Sequence, residues 1–299
     1  MPDAASPPPG PPDTVPPRPD PPAADEVPAT AFLTALARAR ATADPDGVLR
    51  DPYAARFARL CPDSVARVTR HTAGPSVVVA RTLVIDRLLS GLLRDGPWEA
   101  CVNLGAGFDA RTHRLEWPAA CRVTEVDRPA VLDLKDRLLP AATARVPVER
   151  LPGDLCEPAA LTALLRPRAA GRRTLFLAEG LLTYLTADQV RALAAALAGA
   201  ADAGSAWICD VLSPASARTL TAAARTAGTA LTLHGLPDLD AFETAGWHCE
   251  HLEPLPTARP PARATGTSRH LPDGVLRLRR RSREGRGGDD RPAAAAHRA

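Results

Sequence analysis

The sequence predicts an α/β fold with a seven-stranded, mostly parallel sheet, one antiparallel edge strand, helices on both faces and an N-terminal helical cap. From residue 97 onward, short apolar runs alternate with longer segments rich in Ala and Leu, which is the pattern of βαβ units. Upstream of residue 97, apolar residues recur at helical spacing instead. Together these patterns favour one domain with a helical beginning and a layered core.

The individual elements follow from the same patterns. The predicted helices of the cap cover residues 30–42, 52–60 and 76–94. The predicted strands cover residues 100–104, 122–126, 146–151, 174–178, 206–211, 247–252 and 274–278. The last two strands are separated by a Pro-rich loop instead of a helix, so we expect them to pair antiparallel at one edge of the sheet.

The two ends of the chain differ in composition from its middle. Residues 1–28 are dominated by Pro with Ala and Asp, which favours an extended, disordered leader. Residues 282–299 carry basic side chains and predict a second disordered tail. The domain is therefore assigned to residues 29–281, with the cap at 29–96 and the core at 97–281.

Charge, hydropathy and cysteine placement argue against several classes of protein. The formal net charge of +3 is small, so the composition does not favour nucleic acid or an anionic membrane as a partner. No apolar run approaches the roughly 20 residues that span a bilayer, and no signal-peptide pattern is visible. The six cysteines are far apart without a Cys-x-x-Cys pair, so we expect no metal site and a reducing, cytoplasmic environment.

The strongest local signal is a buried strand that runs into a glycine turn, at residues 101–111 (CVNLGAGFDAR). Gly105 and Gly107 allow close approach of a ligand at the carboxyl end of a central strand, where open α/β sheets bind ligands. The next strand ends near Asp127, whose carboxylate can accept hydrogen bonds from both hydroxyls of a ribose. The arrangement is Rossmann-like and predicts a nucleotide-type cofactor.

These features alone fit more than one function. Residues 105–110 also satisfy the dinucleotide pattern G-x-G-x-x-A, so a nicotinamide-dependent oxidoreductase is one alternative. However, Asp109 stands where a pyrophosphate would meet the helix N-terminus, and its carboxylate would repel phosphate. A cofactor without phosphates therefore fits better. A non-catalytic binding module with a basic tail is the other alternative.

Five motifs together carry a resemblance to a known family. They are residues 80–86 (ARTLVID), 103–111 (NLGAGFDAR), 125–129 (EVDRP), 153–155 (GDL) and 178–185 (AEGLLTYL). In order and spacing they resemble the leucine carboxyl methyltransferase family of class I S-adenosylmethionine-dependent methyltransferases, in its bacterial O-methyltransferase branch. The resemblance covers roughly residues 30–280. It implies S-adenosylmethionine as cofactor and methyl transfer to an oxygen of an acceptor.

The resemblance also implies a role for each matching residue. Arg81 would pair with the methionine carboxylate, a task that suits a guanidinium group. The glycine turn would admit the methionine and ribose portion, and Asp127 would hold the ribose. Asp154 would accept a hydrogen bond from the adenine amine, while Leu155 would offer an apolar face to the ring.

Two further residues are the catalytic candidates. Glu179 would face the methionine amino group or the reaction cavity, and Tyr184 would line the acceptor pocket. A carboxylate acceptor is ionised at neutral pH and needs no general base, whereas a hydroxyl acceptor does. The sequence names no convincing base, which favours a carboxylate on a small molecule or a peptide.

Each of these residues also has an ordinary structural interpretation. Arg81 could form a surface ion pair with Asp86, and Asp154 could be a turn residue. Glu179 could be an acid at a strand-to-helix junction, where the helix dipole favours negative charge. Tyr184 could be a core residue. The joint order of the motifs favours the functional interpretation.

Overall fold

The computed structural model describes residues 27–63, 66, 74–226, 228–256 and 271–281. Residues 1–26 of the predicted leader, the predicted basic tail and the Pro-rich loop at 257–270 lie outside these ranges. Val27 falls within the predicted leader but is buried in a core cluster with Phe32. The packed part of the chain therefore begins before residue 29.

Seven strands form a single sheet. They are β1 (Ala100–Leu104), β2 (Arg122–Asp127), β3 (Val148–Pro152), β4 (Thr174–Ala178), β5 (Ala206–Val211), β6 (Trp247–Pro254) and β7 (Gly274–Arg280). Their order across the sheet is β3-β2-β1-β4-β5-β7-β6. The first five pair in parallel, while β7 is antiparallel to both β5 and β6. The predicted sheet with its antiparallel edge is confirmed, and β7 is inserted beside β5 so that β6 is outermost.

Nine α-helices lie wholly within the described ranges. They are α1 (Ala29–Ala43), α2 (Ala54–Ala58), α3 (Gly74–Asp95), α4 (Arg111–Arg114), α5 (Pro129–Leu138), α6 (Pro158–Ala169), α7 (Ala187–Ala200), α8 (Pro214–Thr226) and α9 (Asp240–Glu243). Proline opens α5 and α6, and a capping box between Thr186 and Gln189 opens α7. In the ranges given above, none of the helices combines the length and the hydropathy that crossing a membrane requires.

Helices cover both faces of the sheet. Neighbouring residues of a strand point to opposite faces, so Val102 of β1 packs in one core cluster with Leu193 of α7. Cys101, the preceding residue, packs in a second cluster with Leu89 of α3. Because β1 and β4 are buried along their whole length, apolar residues occupy successive positions without alternation, apart from Asn103 in β1 and Thr174 in β4.

The N-terminal cap rests on the turn that follows β1. Phe108 of this turn stacks on Phe57 of α2 at a centroid distance of 4.4 Å and meets Phe32 of α1 edge to face at 5.2 Å. Val131 and Leu134 of α5 complete the cluster from below. The cap is therefore in direct contact with the predicted ligand-binding loop.

Candidate functional site at the carboxyl edge of the sheet

Five parallel strands end at the same edge of the sheet, where each places a glycine or an acidic residue. In strand order they are Asp154 after β3, Asp127 on β2, Gly105 after β1, Glu179 after β4 and Asp210 on β5. Open α/β sheets bind their ligands at this edge. The fold thus brings residues of four separate sequence motifs into one row.

The glycine turn has a backbone conformation that favours glycine. Gly105 has a φ of 62° and Gly107 a φ of 42°. The Gly105 N–H donates to the Val126 carbonyl at 2.8 Å, which ties the turn to β2. A Cβ atom on Gly105 would lie 3.3 Å from Leu181, so the turn also packs closely against the segment after β4.

Asp127 holds the turn from the neighbouring strand. Its Oδ2 accepts a hydrogen bond from the Gly107 N–H at 2.7 Å, and its Oδ1 accepts one from the Arg128 N–H at 2.7 Å. Two backbone donors therefore orient this half-buried carboxylate at the end of β2. It lies where the sequence predicts the ribose-binding acid.

Asp154 lies next to Asp127 along the edge, because the Gly153 N–H donates to the Asp127 carbonyl at 3.1 Å. Its side chain is exposed, and Oδ1 accepts a hydrogen bond from the Cys156 N–H at 2.8 Å. This bond is the turn chemistry expected from its ordinary interpretation. Leu155 is half-buried and packs against the first core cluster.

Arg81 of α3 reaches the edge between β4 and β5. Its Nε donates to Glu179 Oε1 at 3.2 Å, and a terminal nitrogen donates to Asp210 Oδ2 at 3.0 Å. The guanidinium group lies against Gly180, where a Cβ atom would come within 3.1 Å of it. Gly180 also has a φ of 66°, so both space and backbone conformation favour glycine after Glu179.

Glu179 is bound by two guanidinium groups and a hydroxyl. Besides Arg81, it pairs with Arg111 at 2.6 Å and accepts a hydrogen bond from Thr82 Oγ1 at 3.2 Å. Burial by itself would raise the pKa of Glu179, but the charges of Arg111 and Arg81 outweigh burial and lower the pKa to about 2. The side chain is therefore a stable carboxylate at neutral pH.

Arg111, to which the sequence assigned no role, is the centre of the charge network. Its guanidinium group is 2% exposed and pairs with Asp86 at 2.6 Å, Asp109 at 2.7 Å and Glu179 at 2.6 Å. Asp86 also binds Arg114. Asp86 is thus occupied by these two cations, and the alternative in which it pairs with Arg81 is not what the structure shows.

Asp210 is the second residue that sequence analysis missed. Its Oδ1 accepts a hydrogen bond from the Gly180 N–H at 2.6 Å, and its Oδ2 pairs with Arg81. Burial raises its pKa, because Arg81 and Gly180 only partly offset the lost hydration. A signal was present in the sequence, since Asp210 is the one charged residue of an otherwise apolar strand and buried charges require partners.

Tyr184 follows β4 on a single 3₁₀ turn, Leu182–Tyr184. It is 39% exposed, and the Thr30 side chain in the first turn of α1 lies beside its hydroxyl. Partial burial raises the pKa of its hydroxyl, so the phenol is neutral at pH 7. Tyr184 therefore lies between the cap and the β4 side of the edge.

The network as a whole is acidic. Its members are the carboxylates of Asp86, Asp109, Glu179 and Asp210 and the guanidinium groups of Arg81, Arg111 and Arg114. With all of them ionised, one negative charge is in excess beside the glycine turn, which favours a cationic ligand. Across the described ranges, no group of three or more His, Cys, Asp or Glu side chains could hold a metal ion.

Comparison with known proteins agrees with the motifs. A sequence model of the leucine carboxyl methyltransferase family matches residues 31–198, more than half of the chain. The chain belongs to the leucine carboxyl methyltransferase family. The matched range contains the glycine turn and every candidate site residue from Arg81 to Tyr184. The resemblance stated from the motifs is confirmed.

Two relatives of this leucine carboxyl methyltransferase family member come from bacteria of the genus Mycolicibacterium. A protein of Mycolicibacterium gilvum, provisionally named an S-adenosyl-L-methionine-dependent methyltransferase, is 34% identical over 75% of this chain and 83% of its own length. A protein of the same provisional name from Mycolicibacterium paratuberculosis is 39% identical over 54% of this chain. The chain spans only 57% of the length of that second relative.

Solved structures share the fold. A provisionally named methyltransferase from Thermobifida fusca YX superposes with a TM-score of 0.59 at 16% identity, over 87% of this chain and 97% of its own. Magnesium protoporphyrin IX methyltransferase from Synechocystis PCC 6803, solved with bound SAH, superposes with a TM-score of 0.50 at 14% identity, over 73% and 93%. At these identities the likeness concerns the fold alone.

Proposed function

We propose that this chain is an S-adenosylmethionine-dependent methyltransferase that transfers the methyl group to an oxygen of its acceptor. One observation carries the proposal: the glycine turn and the acidic residues of three other family motifs meet at the carboxyl edge of one Rossmann-like sheet. The names of the relatives support S-adenosylmethionine as the methyl donor.

The residues of the edge suit the parts of this donor. Asp127 would bind the ribose hydroxyls, and exposed Asp154 with half-buried Leu155 would frame the adenine. Arg81 would bind the methionine carboxylate, and Glu179 would face the methionine ammonium group. The excess negative charge of the network would stabilise the positively charged sulfonium centre, which supplies an activated methyl group.

A dinucleotide cofactor fits this edge less well. Asp109 Oδ1 accepts the Arg111 N–H at 2.7 Å, which is a backbone donor at the start of α4. A pyrophosphate at this turn would compete for that donor and would face a carboxylate. The geometry therefore supports the methyltransferase over the nicotinamide-dependent oxidoreductase.

The protonation states near the edge favour a carboxylate as the acceptor. Glu179, with a pKa of about 2, is too weak a base to take a proton from a hydroxyl group. Tyr184 has a raised pKa and is protonated at neutral pH. A carboxylate acceptor requires no base, because its oxygen attacks the methyl carbon directly. The products are then a methyl ester and a neutral thioether.

Two measurements test this proposal. Calorimetric titration with S-adenosylhomocysteine should show binding to one site, and the absence of binding would overturn the choice of cofactor. Incubation of the enzyme with a metabolite and peptide extract and with radiolabelled S-adenosylmethionine should label an acceptor. Mild alkali should release that label as volatile methanol, as expected for a methyl ester. A label that resists alkali would overturn the carboxylate and indicate a methyl ether.

A further inference from the structure

Two carbonyl groups of the glycine turn are each bound by a buried cation. The Ala106 carbonyl accepts a hydrogen bond from Lys135 Nζ of α5 at 3.3 Å. The Phe108 carbonyl accepts one from an Arg38 terminal nitrogen of α1 at 2.8 Å. Lys135 is fully buried and Arg38 is 5% exposed. The turn is therefore held by α5, the helix that follows β2, and by α1 of the cap.

Each of these cations is also paired with a buried carboxylate. Lys135 Nζ lies 3.0 Å from Glu125 Oε2, and Arg38 Nε lies 3.0 Å from Asp51 Oδ2. Lys135 is the only lysine of the chain, which otherwise uses arginine for its cationic side chains. Taking ion pairs out of water costs free energy, and apolar replacements are often as stable. Stability alone therefore does not account for these two pairs.

Peptide geometry connects Lys135 to the ribose-binding acid proposed above. In a trans peptide unit the carbonyl and the N–H point in opposite directions. When the Ala106 carbonyl points at Lys135, the Gly107 N–H of the same unit points away, and it donates to Asp127 Oδ2 at 2.7 Å. Lys135 thereby orients the Gly107 N–H, and this N–H in turn orients the Asp127 carboxylate.

The peptide unit between Phe108 and Asp109 is also fixed by hydrogen bonds at both of its ends. Arg38 holds the Phe108 carbonyl, and the Asp109 N–H of that unit donates to the Ala106 carbonyl at 3.0 Å. The Ala106 carbonyl therefore accepts two hydrogen bonds, one from Lys135 and one from Asp109. The Ala106 carbonyl is thereby held away from Asp127, whose carboxylate it would otherwise repel.

We propose that Lys135 and Arg38 are positioning residues for the methyl donor: they lock peptide units of the glycine turn so that the Gly107 N–H faces Asp127 and holds its carboxylate in place for the ligand. This inference rests on the proposed function for the identity of the ligand. It assigns to the cap a part in cofactor affinity, because Arg38 belongs to α1. Among the described residues, neither forms a hydrogen bond or ion pair with Asp127, Asp154, Arg81 or Glu179.

The test uses a matched pair of substitutions at one carboxylate. Lys135→Met removes the cation that reaches the turn. Arg150→Met removes the other cation of Glu125, which lies 2.9 Å from the same Oε2 and makes no described contact with the turn. Both variants should lose stability. Only Lys135→Met should weaken S-adenosylhomocysteine binding, by about ten-fold, as expected for one charge-assisted hydrogen bond. Lys135→Arg should recover part of this loss.

Calorimetric titration of the three variants and of Arg38→Met gives the outcome. Equal affinity of Lys135→Met and wild type, or an equal loss in Arg150→Met, would overturn the proposal. If Lys135→Met does not fold, Arg38→Met carries the same test from the cap side.

A second readout is independent of the ligand. Hydrogen exchange at the Gly107 amide should be at least about ten-fold faster in Lys135→Met than in Arg150→Met. If the wild type does not bind S-adenosylhomocysteine, the proposed function fails. The difference in Gly107 exchange between the two variants would still test whether Lys135 locks the turn. Equal exchange in the two variants would overturn the lock itself.

Discussion

The two halves of the carboxyl edge are built differently. On the β4–β5 side, the Glu179 side chain is 9% exposed and is bound by Arg81 and Arg111. On the β2–β3 side, Asp127 is half-buried and Asp154 is exposed, and backbone N–H groups hold both carboxylates. One half is a buried charge network, and the other is an accessible rim.

This difference indicates which side of the edge contributes most to stability and which can be changed at little cost to the fold. A buried charge must find its partners within the fold, so the β4–β5 side is tied to the free energy of unfolding. An exposed carboxylate at a strand end can be removed at little cost to the fold, because water already solvates it. Substitutions on the first side should therefore lower stability whatever their effect on binding, and substitutions on the second should lower ligand affinity with little loss of stability.

The largest effect is expected for Arg111→Met. The change leaves Glu179, Asp109 and Asp86 short of a buried cation and should lower the free energy of unfolding by about 3–5 kcal/mol. Chemical denaturation measures it. The control is Arg191→Met, which removes an exposed ion pair with Asp188 and should cost less than about 0.5 kcal/mol. Similar losses in both variants would show that the buried network contributes no more to stability than an exposed ion pair.

Protonation of Glu179 at low pH should remove its contribution to stability over a defined pH range. The pKa of Glu179 is lowered from 4.5 to about 2, so its contribution is present above pH 4.5 and is lost as the pH falls toward 2. The contribution amounts to roughly 3 kcal/mol, of which about 2 kcal/mol is lost between about pH 5 and about pH 3. The difference in unfolding free energy between wild type and Glu179→Gln should narrow by that amount over this range. A constant difference would contradict the shift.

On the rim, Asp127→Ala should reduce affinity more than stability. The loss of its ribose contacts should weaken S-adenosylhomocysteine binding by about 1–3 kcal/mol. The free energy of unfolding should fall by no more than about 1 kcal/mol, because the Gly107 and Arg128 N–H groups can turn to water. Titration and denaturation of the same preparation compare the two. If the free energy of unfolding falls by more than the free energy of binding, Asp127 acts mainly in stability, as the buried network does.

The smallest effect is expected for Asp154→Ala. Removal of this exposed carboxylate should weaken S-adenosylhomocysteine binding by about 1 kcal/mol, because one hydrogen bond to the adenine amine is lost. The melting temperature should stay close to that of the wild type, and Glu157→Ala, an exposed neighbour, serves as the affinity control. Equal affinity in both variants would leave Asp154 with its turn role alone.

Much of this molecule was determined by its sequence alone. Local signals such as the glycine turn at Gly105 and the apolar runs of β1 and β4 act over a few residues, so they predict strands, turns and their order. Because the carboxyl ends of parallel strands share one edge, the predicted strand order is enough to place Asp127, Asp154 and Glu179 along that edge. The seven-stranded sheet and the helical cap follow from these patterns.

Only the tertiary structure decided which charges meet. Arg81 pairs with Asp210, 129 residues away, and not with the nearby Asp86, which Arg111 and Arg114 occupy. The insertion of β7 between β5 and β6 was likewise not visible in the sequence. Such pairings depend on the distances between elements far apart in the chain, and no local periodicity encodes those distances. Because these charges are buried, the fold depends on each pairing: a buried charge without a partner would raise the free energy of the folded state too far.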